Sequence, residues 1–168
     1  RVSEKVRAFD LDVLAYDYYV DEEVEKEYGV ELVDDLDTLL RKSDYVSVHT
    51  ALTEETRGMI GEEELGRMKE EAVLINTARG PIIDESALIE ALRNEDIGYA
   101  GLDVTEKEPI DEDNPLLGLD NVSITPHVAW YSEESQKELQ RKAAMGVAEV
   151  LKGEEPTYPV NPEVADRH

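Results

Sequence analysis

Apolar residues recur along the chain in two alternating rhythms, one of helical period and one of short continuous runs. Val2, Val6 and Phe9 fall at helical spacing over residues 1–9, and Asp12-Val13-Leu14-Ala15-Tyr16 then reads as a short buried strand ending at Asp17. The chain therefore opens inside a helix. An acidic helical stretch over 21–28, a short strand over 30–32 and a helix over 35–42 follow, the last turning Leu36, Leu39 and Leu40 inward. Residues 44–48 form a strand, a polar loop runs from His49 through Arg57-Gly58, a brief helix covers 62–68, and Ala72-Val73-Leu74-Ile75 is a continuous apolar strand. The second half repeats the alternation: helix 84–94, strand 98–104, a turn-rich loop to Asp120, strand 122–125 and a long helix over 132–152. Beyond Gly153 a Pro-rich tail, 156–162, lacks the apolar content to fold by itself.

Strands alternating with helices of this length predict right-handed crossovers and a parallel sheet covered on both faces, an α/β doubly wound architecture of Rossmann type. No internal repeat or low-complexity tract interrupts it. Residues 1–152 are expected to form part of a dinucleotide-binding domain, with 153–168 as a separate tail.

Composition narrows the chemistry. A chain of 168 residues, 40% hydrophobic, suffices to bury a core. With no cysteine there is no disulfide, thiolate metal site or sulfur nucleophile, and no metal is expected. No apolar stretch approaches the roughly 18 residues needed to cross a bilayer, and the N-terminus has no basic-then-apolar signal pattern, so a cytoplasmic protein is expected. The net charge of -24, from 41 acidic against 17 basic residues, opposes binding to nucleic acid or anionic membranes. It reads either as a well-solvated surface or as adaptation to high salt, where ions screen self-repulsion.

In open parallel sheets ligands bind beyond the carboxyl ends of the strands. There the sequence places Asp17, then His49-Thr50, then Asn76-Thr77-Ala78-Arg79-Gly80, then Asp103 and residues 106–108, and finally Pro126-His127. His127 is the acid–base candidate, because histidine changes charge near neutrality; a carboxylate such as Glu108 would favour its protonated form and orient the ring. Arg79 offers a planar fork that can hold a substrate carboxylate by two parallel hydrogen bonds. Asp17, at a strand end, sits where dinucleotide-binding folds use an acid to accept hydrogen bonds from a ribose diol; an acid there disfavours a 2'-phosphate, hence NAD over NADP. Each has a plainer alternative. His127 alone would be a structural histidine, Arg79 a surface ion-pair residue, Asp17 a helix cap, Asp103 a buried acid satisfying backbone donors, and Trp130 packing.

Val46-Ser47-Val48-His49-Thr50, followed by Leu52-Thr53, Thr56-Arg57 and Ile75-Asn76-Thr77-Ala78-Arg79-Gly80, resembles the signatures of D-2-hydroxyacid dehydrogenases. Gly101-Leu102-Asp103-Val104, Glu108-Pro109 and Thr125-Pro126-His127 complete a pattern that runs in order from residue 1 to about residue 160. The resemblance implies hydride transfer between NAD and a small 2-keto or 2-hydroxy acid. It implies an arginine clamp at Arg79, a His127 that exchanges the hydroxyl proton and a Glu108 that holds this histidine. It also places Asp103 and the Thr77-Ala78 backbone near the nicotinamide amide, Asp17 on the adenosine ribose and His49-Thr50 along the cofactor. Ala129-Trp130-Tyr131-Ser132 is similar to the branch that includes the C-terminal-binding-protein corepressors, where the tryptophan lines the substrate pocket.

Departures from the pattern are Asp10 where glycine is common, Ala51 where proline is common and Ala129 where many members have glycine. A larger departure is that a G-x-G-x-x-G fingerprint, expected about 20 residues before Asp17, does not occur in the 168 residues. The backbone N–H groups of that loop normally bind the pyrophosphate, so cofactor affinity is expected to fall without it. The strand that precedes the loop, a substrate domain and a dimer-building helix are likewise expected in an intact member. Without that strand the 12–16 and 44–48 strands each carry an open inner edge, which a homodimer, with or without exchanged elements, or a local rearrangement joining the two edges would cover. Two further functions stay open beside the dehydrogenase: a non-catalytic, self-associating module and an NADH-responsive regulator.

Overall fold

The structure, a computed structural model, describes residues 2–17 and 23–161. Arg1, Asp21 and Pro162, which bound three of the expected segments, lie outside the described residues. Helix α1 (Val2–Val6) runs into a 3-10 turn at Arg7–Phe9 and is followed by β1 (Leu14–Ala15), α2 (Glu23–Tyr28), β2 (Glu31–Leu32) and α3 (Leu36–Lys42). Then come β3 (Tyr45–Val48), α4 (Glu62–Leu65), β4 (Val73–Asn76), α5 (Glu85–Arg93), β5 (Tyr99–Leu102), β6 (Val122–Ile124) and α6 (Glu133–Leu151). The chain divides into two compact units, Arg1–His127 and Val128–His168.

In the first unit β3, β4, β5 and β6 lie side by side in chain order, all parallel, with Tyr45 opposite Val73, Val73 opposite Tyr99 and Ala100 opposite Val122. The apolar run that ends at Ile75 makes β4 an interior strand, and Leu74 is fully buried in it. Leu40 of α3, Leu65 of α4, and Leu88 and Leu92 of α5 join Leu74 and Ala100 in one buried cluster, each leucine contributing about 1.5–3 kcal/mol of apolar burial. Two helices begin where an aspartate can satisfy their free N–H groups: Asp35 accepts from Thr38 N–H at 2.6 Å, and Asp84 from Ala87 N–H at 3.0 Å. Between β5 and β6 the chain forms only a 3-10 turn, Pro115–Gly118, and this irregular stretch carries part of the site.

Strands β1 and β2 form a separate parallel pair, Leu14 opposite Glu31 and Ala15 opposite Leu32. Among the described residues β1 pairs only with β2, and β3 within its sheet only with β4, so the rearrangement that would join the two open edges is not formed. The strand expected over 12–16 is two residues long and half-buried, and Phe9 is 79% exposed, because a two-stranded ribbon offers too little apolar surface to cover them. Asp10 adopts the left-handed conformation, φ 57°, and its N–H closes the 3-10 turn on Arg7 O at 3.0 Å, which accounts for glycine being common there.

The second unit is α6 with the residues around it. Ser132 and Ser135 cap its start reciprocally, at 3.0 Å and 2.8 Å. Arg141 beside Glu138, with Lys142, holds that carboxyl down to about 2. Over its described residues, 153–161, the tail forms no regular element, yet it folds back on its own helix: Glu149 accepts from Thr157 N–H at 2.8 Å and from its hydroxyl at 2.6 Å. No helix among the described residues is long and apolar enough to cross a membrane.

Candidate active site at the carboxyl ends of the strands

Because β3 to β6 are parallel, the turns that leave their carboxyl ends share one edge of the sheet. Strand β4 ends on Asn76, whose side chain is buried and partnered at both polar atoms: Oδ1 accepts from Ala78 N–H at 3.0 Å and Nδ2 donates to Arg79 O at 3.0 Å. That amide shapes the turn bearing Thr77, Ala78 and Arg79. Arg79 is exposed, and its Nη1 donates to Ala78 O at 2.6 Å. Gly80 follows, buried, at a point where an added Cβ would lie 1.8 Å from Thr105 O. The arginine turn and the loop after β5 thus touch backbone to backbone, which only glycine permits.

Asp103 follows β5 and is 5% exposed. Its N–H donates to Asn76 O at 2.9 Å, and its Oδ1 accepts from the Thr125 hydroxyl at 2.5 Å. The Asp103 carbonyl also accepts from His127 N–H at 2.9 Å, and Thr125 O shares that donor at 3.0 Å. His127 needs this support, since its φ of 54° is unfavourable for a side chain with a Cβ and costs of order 1–3 kcal/mol. Its Nδ1 lies 2.8 Å from Glu108 Oε2, while Glu108 Oε1 accepts from Thr105 N–H at 3.3 Å. An ionised carboxylate only accepts, so beside one Nδ1 is the donor. Ring and carboxylate are both partly exposed, 42% and 39%.

The structure therefore brings Glu108 and His127 into contact, sets Asp103 beneath them, and places Thr77, Ala78 and Arg79 on the adjoining turn. His49 and Thr50 follow β3: His49 Nε2 is 2.9 Å from Ser47 Oγ, and Thr50 Oγ1 donates to Ala51 O at 3.4 Å. Asp17 is exposed just past β1, in the separate strand pair. Trp130 belongs to the second unit, where it meets Tyr131 edge-on at 5.6 Å and its carbonyl accepts from Ser135 Oγ at 2.7 Å. Sequence reasoning gave no role to Asn76 or to the Thr125 hydroxyl. The signals were present: an amide ending an apolar run, and a hydroxyl two residues before His127. Among the described residues no three His, Asp or Glu side chains gather as a metal site.

Residues 1–129 match the family described as D-isomer specific 2-hydroxyacid dehydrogenase, NAD binding domain. The chain is 47% identical over 163 residues to a glyoxylate reductase of Korarchaeum cryptofilum, covering 97% of this chain and 49% of that protein. It is 45% identical over 154 residues to a D-3-phosphoglycerate dehydrogenase of Methanocaldococcus jannaschii, covering 92% of this chain and 29% of that one. Among solved structures, D-lactate dehydrogenase with NAD+ from Lactobacillus jensenii superposes with a TM-score of 0.84 at 33% identity, over 95% of this chain and 51% of that chain. The chain thus spans about half the length of the reductase and of the lactate dehydrogenase. The ordered strand-end motifs, the parallel sheet and these matches agree: the chain belongs to the D-isomer specific 2-hydroxyacid dehydrogenases, within their NAD-binding domain.

Proposed function

We infer that this chain supplies the catalytic edge of an NAD-dependent oxidoreductase that reduces a small 2-keto acid to its D-2-hydroxy acid. The observation that carries the reading is the hydrogen bond between Glu108 and His127 at the mouth of the sheet. In this reading Arg79 holds the substrate carboxylate as a planar fork and fixes the keto carbon. His127 Nε2 gives its proton to the carbonyl oxygen, and the Glu108 carboxylate stabilises the imidazolium beforehand. Bound NADH would supply the hydride that the carbonyl carbon gains as its C=O double bond becomes a C–O single bond. The residues present fit that cofactor in part. In this reading Asp17 gives an acceptor for a ribose diol, the buried Asp103 carboxylate and the Thr77-Ala78 backbone meet the nicotinamide amide, and His49-Thr50 run along the cofactor. No G-x-G-x-x-G loop for the pyrophosphate occurs in these residues. The reading assigns Trp130 to the substrate pocket, residues 1–152 to a dinucleotide-binding domain and 153–168 to a tail of the substrate domain.

Relatives named glyoxylate reductase and hydroxypyruvate reductase make glyoxylate and hydroxypyruvate the first substrates to try. The reading also takes the protein as cytoplasmic and homodimeric, supported by the open edge of β3, where Tyr45 is 62% exposed, and takes its acidity as suited to high salt. That same open edge favours the second reading, a self-associating module without turnover. Calorimetric titration with NADH separates the two: micromolar binding supports the oxidoreductase, and no binding at millimolar cofactor removes it for this chain. Where keto-acid reduction is measured, His127→Ala is expected to lower turnover about 10²–10⁴-fold; unchanged turnover would dismiss His127 as the proton carrier.

A further inference from the structure

We propose that Glu85 is a positioning residue that clamps the loop after β5 and so holds the Glu108 carboxylate on His127 Nδ1. The proposal rests on the reading of Glu108 and His127 as the proton-exchanging pair. Glu85 is the first residue of α5, directly after its cap Asp84. An acid in a first helical turn is favoured by the helix dipole, which explains its presence but not what it touches. Its two oxygens leave the helix and reach the loop at two places: Oε2 accepts from Glu106 N–H at 3.0 Å, and Oε1 accepts from Asn114 Nδ2 at 2.7 Å. These two points bracket Glu108.

Each end of the clamp is anchored. Asn114 Oδ1 accepts from Leu116 N–H at 2.9 Å, and Leu116 is fully buried, so the far end of the loop is tied to the core. At the near end the Thr105 hydroxyl donates to Lys107 O at 2.8 Å, and Thr105 N–H reaches Glu108 Oε1. Glu85 also follows Arg79 and Gly80 by a single short turn, with Gly80 against Thr105. One carboxylate therefore fixes the loop of the imidazole's partner relative to the turn that carries the guanidinium.

Electrostatics alone would push Glu85 away from this loop. Glu108, Asp111, Glu112 and Asp113 lie between its two attachment points and Glu106 is the first of them, with Lys107 the only cation in that stretch. Another carboxylate among like charges is unfavourable unless specific donors offset the repulsion, and here both donors are amide N–H groups.

The test reads the imidazole directly and needs no turnover. In the chain labelled with 15N-histidine, with His49→Gln and His168→Gln variants assigning the signals, His127 is expected mainly as the Nδ1–H tautomer when neutral. Glu85→Ala should change the tautomer ratio about tenfold toward Nε2–H, the loss expected when a charge-assisted hydrogen bond is released. Glu85→Gln, which keeps an amide oxygen for one of the two donors and preserves the helix start, should fall between. Asp84→Ala removes the cap of α5 without touching the loop, and should leave the ratio as it was. A wild-type ratio in both Glu85 variants, or an equal change in Asp84→Ala, would overturn the proposal. Glu108→Ala keeps the two readings apart. If it changes the ratio while the Glu85 variants do not, only the clamp fails; if it changes nothing, the pair itself is absent and both readings fall.

Discussion

The four-stranded sheet and the β1–β2 pair obey one folding rule and differ in how deeply their strands are buried. Past β4, β5 and β6 the turns are tied to one another, Gly80 against Thr105, Asp103 to Thr125 and Glu108 to His127, and Asn76 braces the first of them on Arg79. Past β1, Asp17 stands on a ribbon of two-residue strands in which no residue is buried. Besides its backbone bonds, Glu31 N–H to Val13 O at 2.8 Å and Val33 N–H to Ala15 O at 2.9 Å, the ribbon has Leu32 N–H on Glu25 Oε1 at 2.8 Å and an exposed Lys42–Glu31 pair at 3.6 Å. The difference teaches where position is fixed. In the proposed reading, the groups that would move a proton or hold the reacting carbon need sub-ångström placement and sit on the packed sheet, while Asp17, which would only accept from a ribose, tolerates a looser base.

Matched truncations would test that contrast most severely. Leu74→Ala, in the middle of β4, is expected to cost about 3–4 kcal/mol in urea unfolding, from lost transfer energy and the cavity left in close-packed surroundings. Leu14→Ala, half-buried in β1, should cost about 1 kcal/mol, because the site can collapse and water already reaches it. Equal costs would show that the ribbon is as well supported as the sheet.

The same contrast explains what could be read from the sequence. Periodicity located nearly every element of the four-stranded sheet through apolar runs such as Ala72-Val73-Leu74-Ile75, although the structure buries one face of that sheet and leaves the other half-buried to exposed, where the sequence pattern predicts cover on both faces. It overstated β1, where the apolar run of 12–16 is real but only Leu14 and Ala15 find a partner strand. The Glu108–His127 contact was legible as two motifs in order. Two of the supports were not, because Thr125 and Glu85 act through hydrogen bonds between segments distant in sequence, and pattern reading along one segment does not register them; Asn76 instead braces its own turn, two and three residues along. Gly80 was visible as a turn glycine, but its reason, a carbonyl against its Cα, belongs to the packing of two loops.

Gly80→Ala sharpens the comparison at the seam between those loops. The added methyl cannot share space with the Thr105 carbonyl, so the arginine turn and the loop of Glu108 must part, at about 2–3 kcal/mol of overpacking. Amide exchange should then rise at Thr105 and Glu106 while Leu32 in β2 stays as before. A variant as stable as the parent with unchanged exchange at Glu106 would mean that the two turns are not held together by this contact.

The smallest effect lies in the ribbon and has the opposite sign. Asp10 holds a left-handed φ just ahead of β1, a conformation that strains a residue with a Cβ and that glycine adopts freely. Asp10→Gly relieves that strain but enlarges the freedom of the unfolded chain, which offsets much of the benefit. The net expectation is a gain of about 0.5 kcal/mol, seen as slower amide exchange across the Arg7–Asp10 turn and β1, with none of it at Leu74 or Ala100. A gain spread evenly over both sheets would mean that the ribbon and the four-stranded sheet unfold together. Asp17 would then sit on a base as firm as that of His127, and the looser placement inferred for it would have to be given up.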